Sequence, residues 1–291
     1  MGRYLNRARL HFGTDTRGML EGGRYALVYT RSLELDDLRP YVPGDDVRDI
    51  DWKASARAGA VLIKRFVSER HHKILLVADA GRNMSALTPT GEVKREVAVD
   101  VMGAVGLISM GRSDEIGMVY GDSRGSVNTR NRRGETHIES ILEDFYIHSL
   151  GDVGTSDITT QLEYVARAHR RRLLLVVVSD EPEVTPRLDE VLTQLIGQHE
   201  MVWLMITDMP AVGADEGEHD GYDVATGRFV LNGTVLGPRV VAAYRAAEQQ
   251  RAAQLDAFLT SHEVCFTRIA GSAEIRDRLV EVSEVYSSAV R

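Results

Sequence analysis

Three short runs of apolar residues constrain the fold of this chain most, because no polar residue interrupts them. They span residues 74–78, 173–178 and 201–206, and an aspartate follows each within two residues: Asp79, Asp180 and Asp208. Each run is far shorter than the roughly 20 apolar residues that a membrane-spanning helix needs. Uninterrupted apolar runs of this length are typical of strands that are buried on both faces of a parallel sheet.

Amphipathic helices are predicted between these strands. Residues 90–110 carry apolar side chains at three- and four-residue spacing, which gives one buried helix face. The same reasoning predicts further helices at residues 135–148, 157–172, 187–197, 239–261 and 273–289, and hairpins at residues 116–129 and 229–236, the second turning at Asn232-Gly233. The alternation of strands and helices predicts an α/β fold with a doubly wound, mostly parallel sheet.

The first part of the chain differs in pattern from the rest. Short strands are predicted at residues 25–29 and 60–63, and no long amphipathic helix accompanies them. We therefore predict a small β-rich N-terminal subdomain within residues 1–70, followed by the α/β domain at residues 71–291.

Composition narrows the class of protein. The net charge of −8 argues against non-specific binding to nucleic acid. No apolar run is long enough to span a membrane, and the amino terminus lacks the apolar core of a secretory signal. The single cysteine, Cys265, excludes an internal disulfide framework and favours a reducing compartment, the cytoplasm. We expect Cys265 to be a small buried hydrophobic residue of a strand.

A dense group of charged residues lies in the N-terminal region, just after a Pro43-Gly44 turn. Aspartates and basic residues alternate there: Asp45, Asp46, Arg48, Asp49, Asp51, Lys53 and Arg57. One interpretation is a metal or acid–base site built from paired carboxylates. The other, which we favour, is a loop held by Arg–Asp pairs and by carboxylates that accept backbone N–H groups. Trp52, a large aromatic residue, is predicted to anchor a core.

This segment resembles the signature of the bacterial family called domain of unknown function 58. The residues that carry the resemblance are Arg39-Pro-Tyr-Val-Pro-Gly-Asp-Asp-Val-Arg48, Ile50-Asp-Trp-Lys53 and Ser55-Ala-Arg57, and the match continues through the Asp79 loop to about residue 185. The resemblance implies a fold similar to the von Willebrand factor type A domain. It also implies frequent genomic association with MoxR-type AAA+ ATPases, and no settled biochemical activity.

The predicted functional site lies where the strands that end at Asp79 and Asp180 meet. In an open parallel sheet, ligands bind beyond the carboxyl ends of the strands where the strand order reverses, and the loop that contains Thr155 can reach the same place. A von Willebrand factor type A domain carries a metal-ion-dependent adhesion site there, with the pattern D-x-S-x-S, a loop threonine and a later aspartate. By this resemblance Asp79, Thr155 and Asp180 match the ligands, whereas Gly81 and Asn83 replace the two serines.

Mg²⁺ is the ion that this resemblance implies, since Mg²⁺ prefers oxygen ligands and readily keeps several waters. Asp79, Asn83 and Thr155 are the predicted ligands, with Asp180 acting through water. Such a site would be weaker than one with two serine hydroxyls. The alternative is that Asp79 and Asp180 cap helices and accept loop N–H groups without any ion.

Three functions follow from these patterns. We favour a non-enzymatic protein-interaction module that binds its partner through the rim around Asp79, Thr155 and Asp180, because no nucleophile–base pattern accompanies these aspartates. The family resemblance makes a MoxR-type AAA+ ATPase, or its client, the expected partner. The second function is a metal-dependent hydrolase that uses the aspartates of residues 45–51, and the third is a structural scaffold that binds no ion.

Overall fold

The computed structural model describes residues 2–12, 34–42, 45, 50–67, 73–210, 221–230 and 236–289. The chain forms two compact units, one of residues 29–71 and one that combines residues 1–28 with residues 72–291. The larger unit opens with helix α1 (Arg3–Phe12). In sequence, the smaller unit is therefore an insertion between α1 and the rest of the larger unit.

The smaller unit contains a two-stranded antiparallel sheet and one helix among its described residues. Strand β1 (Glu34–Pro40) pairs with strand β2 (Leu62–Val67), and helix α2 (Trp52–Ala58) lies between them in sequence. A β-rich subdomain was expected here, but strand β1 was not, because its sequence ELDDLRP is mostly charged. The strand predicted at residues 25–29 lies outside the described residues.

The larger unit alternates strands and helices along the chain. Its elements are β3 (Lys73–Asp79), α3 (Lys94–Gly111), β4 (Glu115–Asp122), β5 (Gly125–Arg132), α4 (Glu135–Leu150), α5 (Ile158–Ala168), β6 (Leu174–Ser179), α6 (Pro186–Ile196), β7 (Glu200–Ile206), β8 (Gly221–Asp223), β9 (Arg228–Val230), α7 (Pro238–Ser261), β10 (Cys265–Ile269) and α8 (Ile275–Ala289).

Six of these strands form one sheet in the order β10-β7-β6-β3-β4-β5. All neighbours pair in parallel except β4 and β5, which form the predicted hairpin at one edge. The predicted fold class, a doubly wound and mostly parallel α/β sheet, is confirmed.

Strand β3 shows why the apolar runs read as doubly buried strands. Ile74, Leu76 and Ala78 pack into one apolar layer, while Leu75 and Val77 pack into the opposite layer. The first layer receives helices α1, α3, α4 and α8, and the second receives helices α5, α6 and α7. Alternate side chains of a strand point to opposite faces, so a strand with helices on both sides must be apolar throughout.

Helix α1 is part of the larger unit. Tyr4 and Leu5 are buried, and their backbone N–H groups donate to the Glu139 carboxylate of α4 at 2.6 and 3.1 Å. Gly103 of α3 leaves room for this packing, because a Cβ there would lie 2.8 Å from the Ala8 side chain. Gly106 leaves room for α4, because a Cβ there would lie 2.7 Å from Ile138.

The short hairpin of β8 and β9 lies in the predicted insertion. Strand β9 begins at Arg228 and pairs back with residues 221–223, and Asp223 closes the turn by accepting from the backbone N–H of Ala225 at 2.9 Å. The strand that pairs with β9 therefore precedes β9 in sequence, whereas the predicted hairpin at residues 229–236 placed the pairing strand after it. The predicted Asn232-Gly233 turn lies outside the described residues.

No helix among the described residues has the length and apolar character needed to cross a membrane. Cys265 is buried in β10 with a free thiol, as expected.

Candidate functional site

The candidate site lies beyond the carboxyl ends of β3 and β6, which are neighbours in the sheet. Ala78 pairs with Val178, so Asp79 and Asp180 follow at adjacent strand ends. The chain proceeds from β3 to β4 and β5 on one side of the sheet and returns to β6, β7 and β10 on the other. The strand order therefore reverses between the two aspartates, at the place where open α/β sheets bind ligands.

Asp79 is fully buried and only half satisfied. Its Oδ1 atom accepts a hydrogen bond from the Gly81 backbone N–H at 2.8 Å, whereas Oδ2 has no hydrogen-bond partner among the described residues. Burial, followed by the charge of Asp180, raises the pKa of Asp79 to about 7, and the Gly81 N–H, the Ser156 hydroxyl and Lys94 only partly offset this. The carboxylate would therefore gain from a proton or a cation.

Asn83 connects the loop after β3 to Asp180. Its Nδ2 atom donates to Asp180 Oδ2 at 2.8 Å, which leaves the buried Oδ1 atom without a hydrogen-bond partner in the described part of the chain. The backbone N–H of Asn83 donates to the Ser156 hydroxyl at 3.2 Å. Asp79 and Asn83 thus each contribute one unsatisfied oxygen atom to the same edge of the sheet.

Ser156, which sequence reasoning did not select as a ligand, meets the Asp79 loop. A Cβ at Gly81 would lie 2.5 Å from the Ser156 Cα, so only glycine fits there. Thr155 lies between two residues that contact the Asp79 loop, since the Gly154 carbonyl accepts from the Arg82 backbone N–H at 2.9 Å. Its own side chain is exposed, and its hydroxyl donates to Ser123 at 2.9 Å. The predicted residues Asp79, Asn83 and Asp180 are therefore brought together, whereas Thr155 contacts the loop after β4.

Lys94 is the other residue that sequence reasoning missed. It is the first residue of α3 and is fully buried, and its Nζ atom lies 2.6 Å from Asp208 Oδ1 and 3.7 Å from Asp180 Oδ2. A lysine at the start of a helix normally suggests a solvated side chain. The available signal was that a cation in the first turn opposes the helix dipole and therefore needs a compensating partner.

Charge is unbalanced in this group, which we call the switch-point centre: Asp79, Asn83, Lys94, Asp180 and Asp208. Three carboxylates interact with one ammonium, whereas the adjacent Glu181 is neutralised by Arg251 at 2.9 Å and Arg268 at 2.5 Å. Half of the Asp208 side chain is exposed, yet partial desolvation still raises its pKa against the opposing effect of the Lys94 ammonium. With all carboxylates ionised, the centre lacks positive charge.

A hydrated Mg²⁺ ion fits the switch-point centre in part. The unsatisfied Asp79 Oδ2 and Asn83 Oδ1 atoms are oxygen ligands of the kind that Mg²⁺ takes. Asp180 Oδ2, however, already accepts from Asn83 and lies near the Lys94 ammonium. Across the described residues, no group of three or more His, Cys, Asp or Glu side chains is arranged to hold a metal. An ion here would depend on few protein ligands and on water.

Three exposed apolar side chains lie on loops at the same edge of the sheet as the centre, and we call them the apolar rim. Leu87, Val184 and Met209 lie on the loops after β3, β6 and β7, with 44%, 46% and 36% of their surfaces exposed. The Met209 backbone N–H donates to the Leu87 carbonyl at 2.9 Å, which joins two of these loops. The described loops of this edge contain no histidine or cysteine.

The charged segment of the smaller unit is arranged differently. Asp45 accepts from Arg39 Nη2 at 2.6 Å and from the Val42 backbone N–H at 2.9 Å, and the Arg39 hydrogen bond lowers the pKa of Asp45. Asp51 caps α2 by accepting from the N–H groups of Lys53 and Ala54 at 3.0 and 2.9 Å. These contacts agree with the favoured interpretation of a loop held by internal hydrogen bonds.

Other residues of that segment divide into two groups. The prediction that Trp52 anchors a core is wrong, because 69% of its surface is exposed at the start of α2, where Lys53 and Arg57 are also exposed. A helix of only two turns has room for few inward positions, and no residue of α2 is buried. The remaining motif residues lie outside the described residues: Pro43, Gly44, Asp46, Arg48 and Asp49.

The sheet order and the site at its switch point define a doubly wound, mostly parallel α/β domain, whose sequence contains a small β-rich unit as an insertion. The chain belongs to the family described as protein of unknown function DUF58, whose model matches residues 37–251.

Relatives and solved structures are similar over part of their length. Uncharacterized proteins of Mycobacterium tuberculosis and Mycobacterium bovis are 26% identical over 164 residues, covering 56% of this chain and 51% of each relative. The match thus spans about half the length of these relatives. A von Willebrand factor type A protein of Catenulispora acidiphila is 13% identical, with 77% of this chain and 43% of that chain covered and a TM-score of 0.42. The PilB minor pilin of Streptococcus sanguinis is 9% identical, with 80% and 66% covered and a TM-score of 0.45.

Proposed function

We propose that this protein is a protein-interaction module that docks a partner on the carboxyl edge of its large sheet. The observation that carries the proposal is the apolar rim around the switch-point centre. Exposed apolar side chains grouped around a polar centre are typical of docking surfaces, where apolar contacts supply affinity and the polar centre supplies specificity. The absence of histidine and cysteine from the described loops of this edge, and the complete burial of Asp79, argue against a catalytic nucleophile there.

The partner we propose is a MoxR-type AAA+ ATPase or its client. Membership of the family supports this choice, because the family resemblance implies frequent genomic association with such ATPases. We propose that the interaction takes place in the cytoplasm, which the single free thiol of Cys265 favours.

Mg²⁺ is the ion that we propose for the centre. Asp79 and Asn83 would hold it through their unsatisfied oxygens, and Asp180 would act through water. A bound Mg²⁺ would offer a positive charge to a carboxylate of the partner. Thr155, whose hydroxyl contacts Ser123, stays a predicted ligand.

Binding of the purified ATPase from the same genome, measured by calorimetry, tests the proposal. We expect the double variant Leu87→Asp/Met209→Asp to weaken binding at least about tenfold. A factor of ten corresponds to about 1.4 kcal/mol, and the loss of an important interface side chain costs more than about 1 kcal/mol. The matched control is Val127→Asp, because Val127 is 41% exposed but lies on strand β5 and not on one of these loops. Equal affinities for the rim variant and the control, or no binding by the wild type, would contradict the proposal.

Among the described residues, no observation favours the alternative of a metal-dependent hydrolase at residues 45–51, and Asp46 and Asp49 lie outside them. Asp45 and Asp51, its two described carboxylates, are each engaged in structural hydrogen bonds. A scaffold that binds no ion remains the alternative for the smaller unit, and the capping role of Asp51 is consistent with it.

A further inference from the structure

The Lys94 side chain is the most unusual feature of the switch-point centre. Lysine is almost never fully buried unless its ammonium is paired, and Lys94 has no exposed surface. Its Nζ atom contacts Asp208 Oδ1 at 2.6 Å and approaches Asp180 Oδ2 at 3.7 Å. An ammonium group of the protein therefore sits among the carboxylates that a divalent ion would require.

Lys94 also connects the loops that carry the apolar rim. Its backbone N–H donates to the Ala86 carbonyl at 2.9 Å in the loop after β3, beside Leu87. Its ammonium reaches Asp208 in the loop after β7, beside Met209, and Asp180 in the loop after β6. One side chain thus joins three loops, as a shared metal ion would.

The Lys94 ammonium and a divalent ion would both draw on one oxygen atom, Asp180 Oδ2. Asp180 Oδ2 accepts from Asn83 Nδ2 at 2.8 Å and lies near Lys94 Nζ, so its acceptor capacity is largely in use. An ion held by Asp79 and Asn83 would stand close to the ammonium. Two cations in one buried site repel each other strongly, because the surroundings screen charge poorly.

We infer that Lys94 is the built-in counter-cation of the switch-point centre and competes with a divalent cation for its carboxylates. The apolar rim then keeps its arrangement without a metal, and the ion is held weakly as long as Lys94 is present. This inference rests on the proposed cation site, but it does not depend on the identity of the partner protein.

Thermal melts of the full chain in EDTA, Mg²⁺, Mn²⁺ or Ca²⁺ at pH 8 test the inference. Lys94→Met keeps most of the side-chain volume and removes the charge. We expect its apparent affinity for Mg²⁺, read from the dependence of Tm on ion concentration, to exceed that of the wild type at least about tenfold. Adding Asp79→Asn to Lys94→Met should abolish the gain. Lys53→Met, which changes an exposed lysine on α2, is the matched control and should respond as the wild type does.

The outcomes separate the inference from the proposed site. A response to Mg²⁺ of equal strength in wild type and Lys94→Met would leave the ion site in place and overturn the role of Lys94. No response in either protein would overturn both. If Lys94→Met does not fold, Lys94→Met/Asp208→Asn removes the ammonium together with its nearest carboxylate. The same tenfold gain is expected of this pair, and its absence would overturn the inference.

Discussion

Two groups of aspartates in this protein differ in how their carboxylates are satisfied. In the smaller unit, Asp45 pairs with Arg39 and Asp51 caps a helix, so each described carboxylate is satisfied by near neighbours in sequence. In the switch-point centre, three carboxylates from three separate loops interact with a single ammonium. There the partners come from distant parts of the chain, and Asp79 Oδ2 has no hydrogen-bond partner among the residues that the structure describes.

The difference between the groups teaches where a ligand is needed. A carboxylate that accepts backbone N–H groups and an arginine is already stabilised, and an added cation would have to displace those contacts. A buried carboxylate with an unsatisfied oxygen is costly to the fold until something fills the position. The candidate site is therefore marked by two unsatisfied oxygens, Asp79 Oδ2 and Asn83 Oδ1, that lie together at the switch point of the sheet, and not by the number of acidic residues.

The largest expected effect comes from removing the charge of Lys94. Lys94→Met should lower the free energy of unfolding of the larger unit by about 3–5 kcal/mol at pH 8 in EDTA, because Asp180 and Asp208 lose their buried partner. Urea denaturation followed by the fluorescence of buried Trp203, in a Trp52→Phe background, measures this unit alone. Lys53→Met on exposed α2 should cost less than about 0.5 kcal/mol. Equal costs for the two lysines would remove the distinction between the regions.

The second effect is a pH dependence that comes from Asp79. Its pKa is about 7 in the folded state and near 4 in an unfolded chain, so the native state binds more protons across this interval. The contribution of Asp79 to stability is therefore complete below about pH 4 and is lost as pH rises through 7. The slope should reach at most about 1.4 kcal/mol per pH unit. Denaturation of the wild type between pH 5 and 8 should show this fall relative to Asp79→Asn, and parallel curves would contradict it.

Two glycines, one in each unit, differ in what restricts their substitution: steric contact at Gly81 and backbone conformation at Gly59. Gly81→Ala places a Cβ 2.5 Å from the Ser156 backbone and should cost about 2–3 kcal/mol through overpacking. Gly59→Ala, at the end of α2, meets open space and should cost only about 1 kcal/mol, because its φ of 68° disfavours other residues. Trp203 fluorescence measures the first variant and amide exchange of α2 the second. A larger cost at Gly59 would refute the steric argument.

The smallest effect is expected at Asp51. Asp51→Ala removes the cap that accepts from Lys53 and Ala54 and should destabilise α2 by about 1 kcal/mol, whereas Asp51→Ser should retain most of the capping. Hydrogen exchange of the Lys53 and Ala54 amides reports the change locally. Ion-dependent protection of these amides that disappears in Asp51→Ser would instead indicate a ligand role for this aspartate.

The sequence predicted the larger unit well and the site only in part, for a physical reason. Apolar runs and helical periodicity are local patterns, so β3, β6 and β7 were predicted to within two residues. Asp79 and Asp180 followed from the topology of parallel sheets. The burial of Lys94 depends on carboxylates at positions 180 and 208, far along the chain, and no local pattern reports it.

The structure of the smaller unit was harder to predict from the sequence than that of the larger unit. Strand β1 is stabilised by pairing with β2 and not by an apolar side-chain pattern, so its charged sequence gave no strand signal. Trp52 was expected in a core because aromatic residues usually bury, yet it starts a short helix in a unit with few buried positions. Thr155 and Ser156 are adjacent in sequence, and only the packing of Ser156 against Gly81 distinguishes them.

The docking of α1 onto α3 and α4 has a consequence for how the chain can be divided. The first turn of α1 relies on Glu139 for hydrogen bonds, and Arg7 pairs with Asp100 at 2.5 Å. Helix α1 is therefore held by residues about a hundred positions away in sequence. A shortened chain that starts at residue 72 would expose the part of α3 around Gly103, which Ala8 covers. A synthetic peptide of the first twelve residues should bind such a fragment and restore it, as in split-protein complementation.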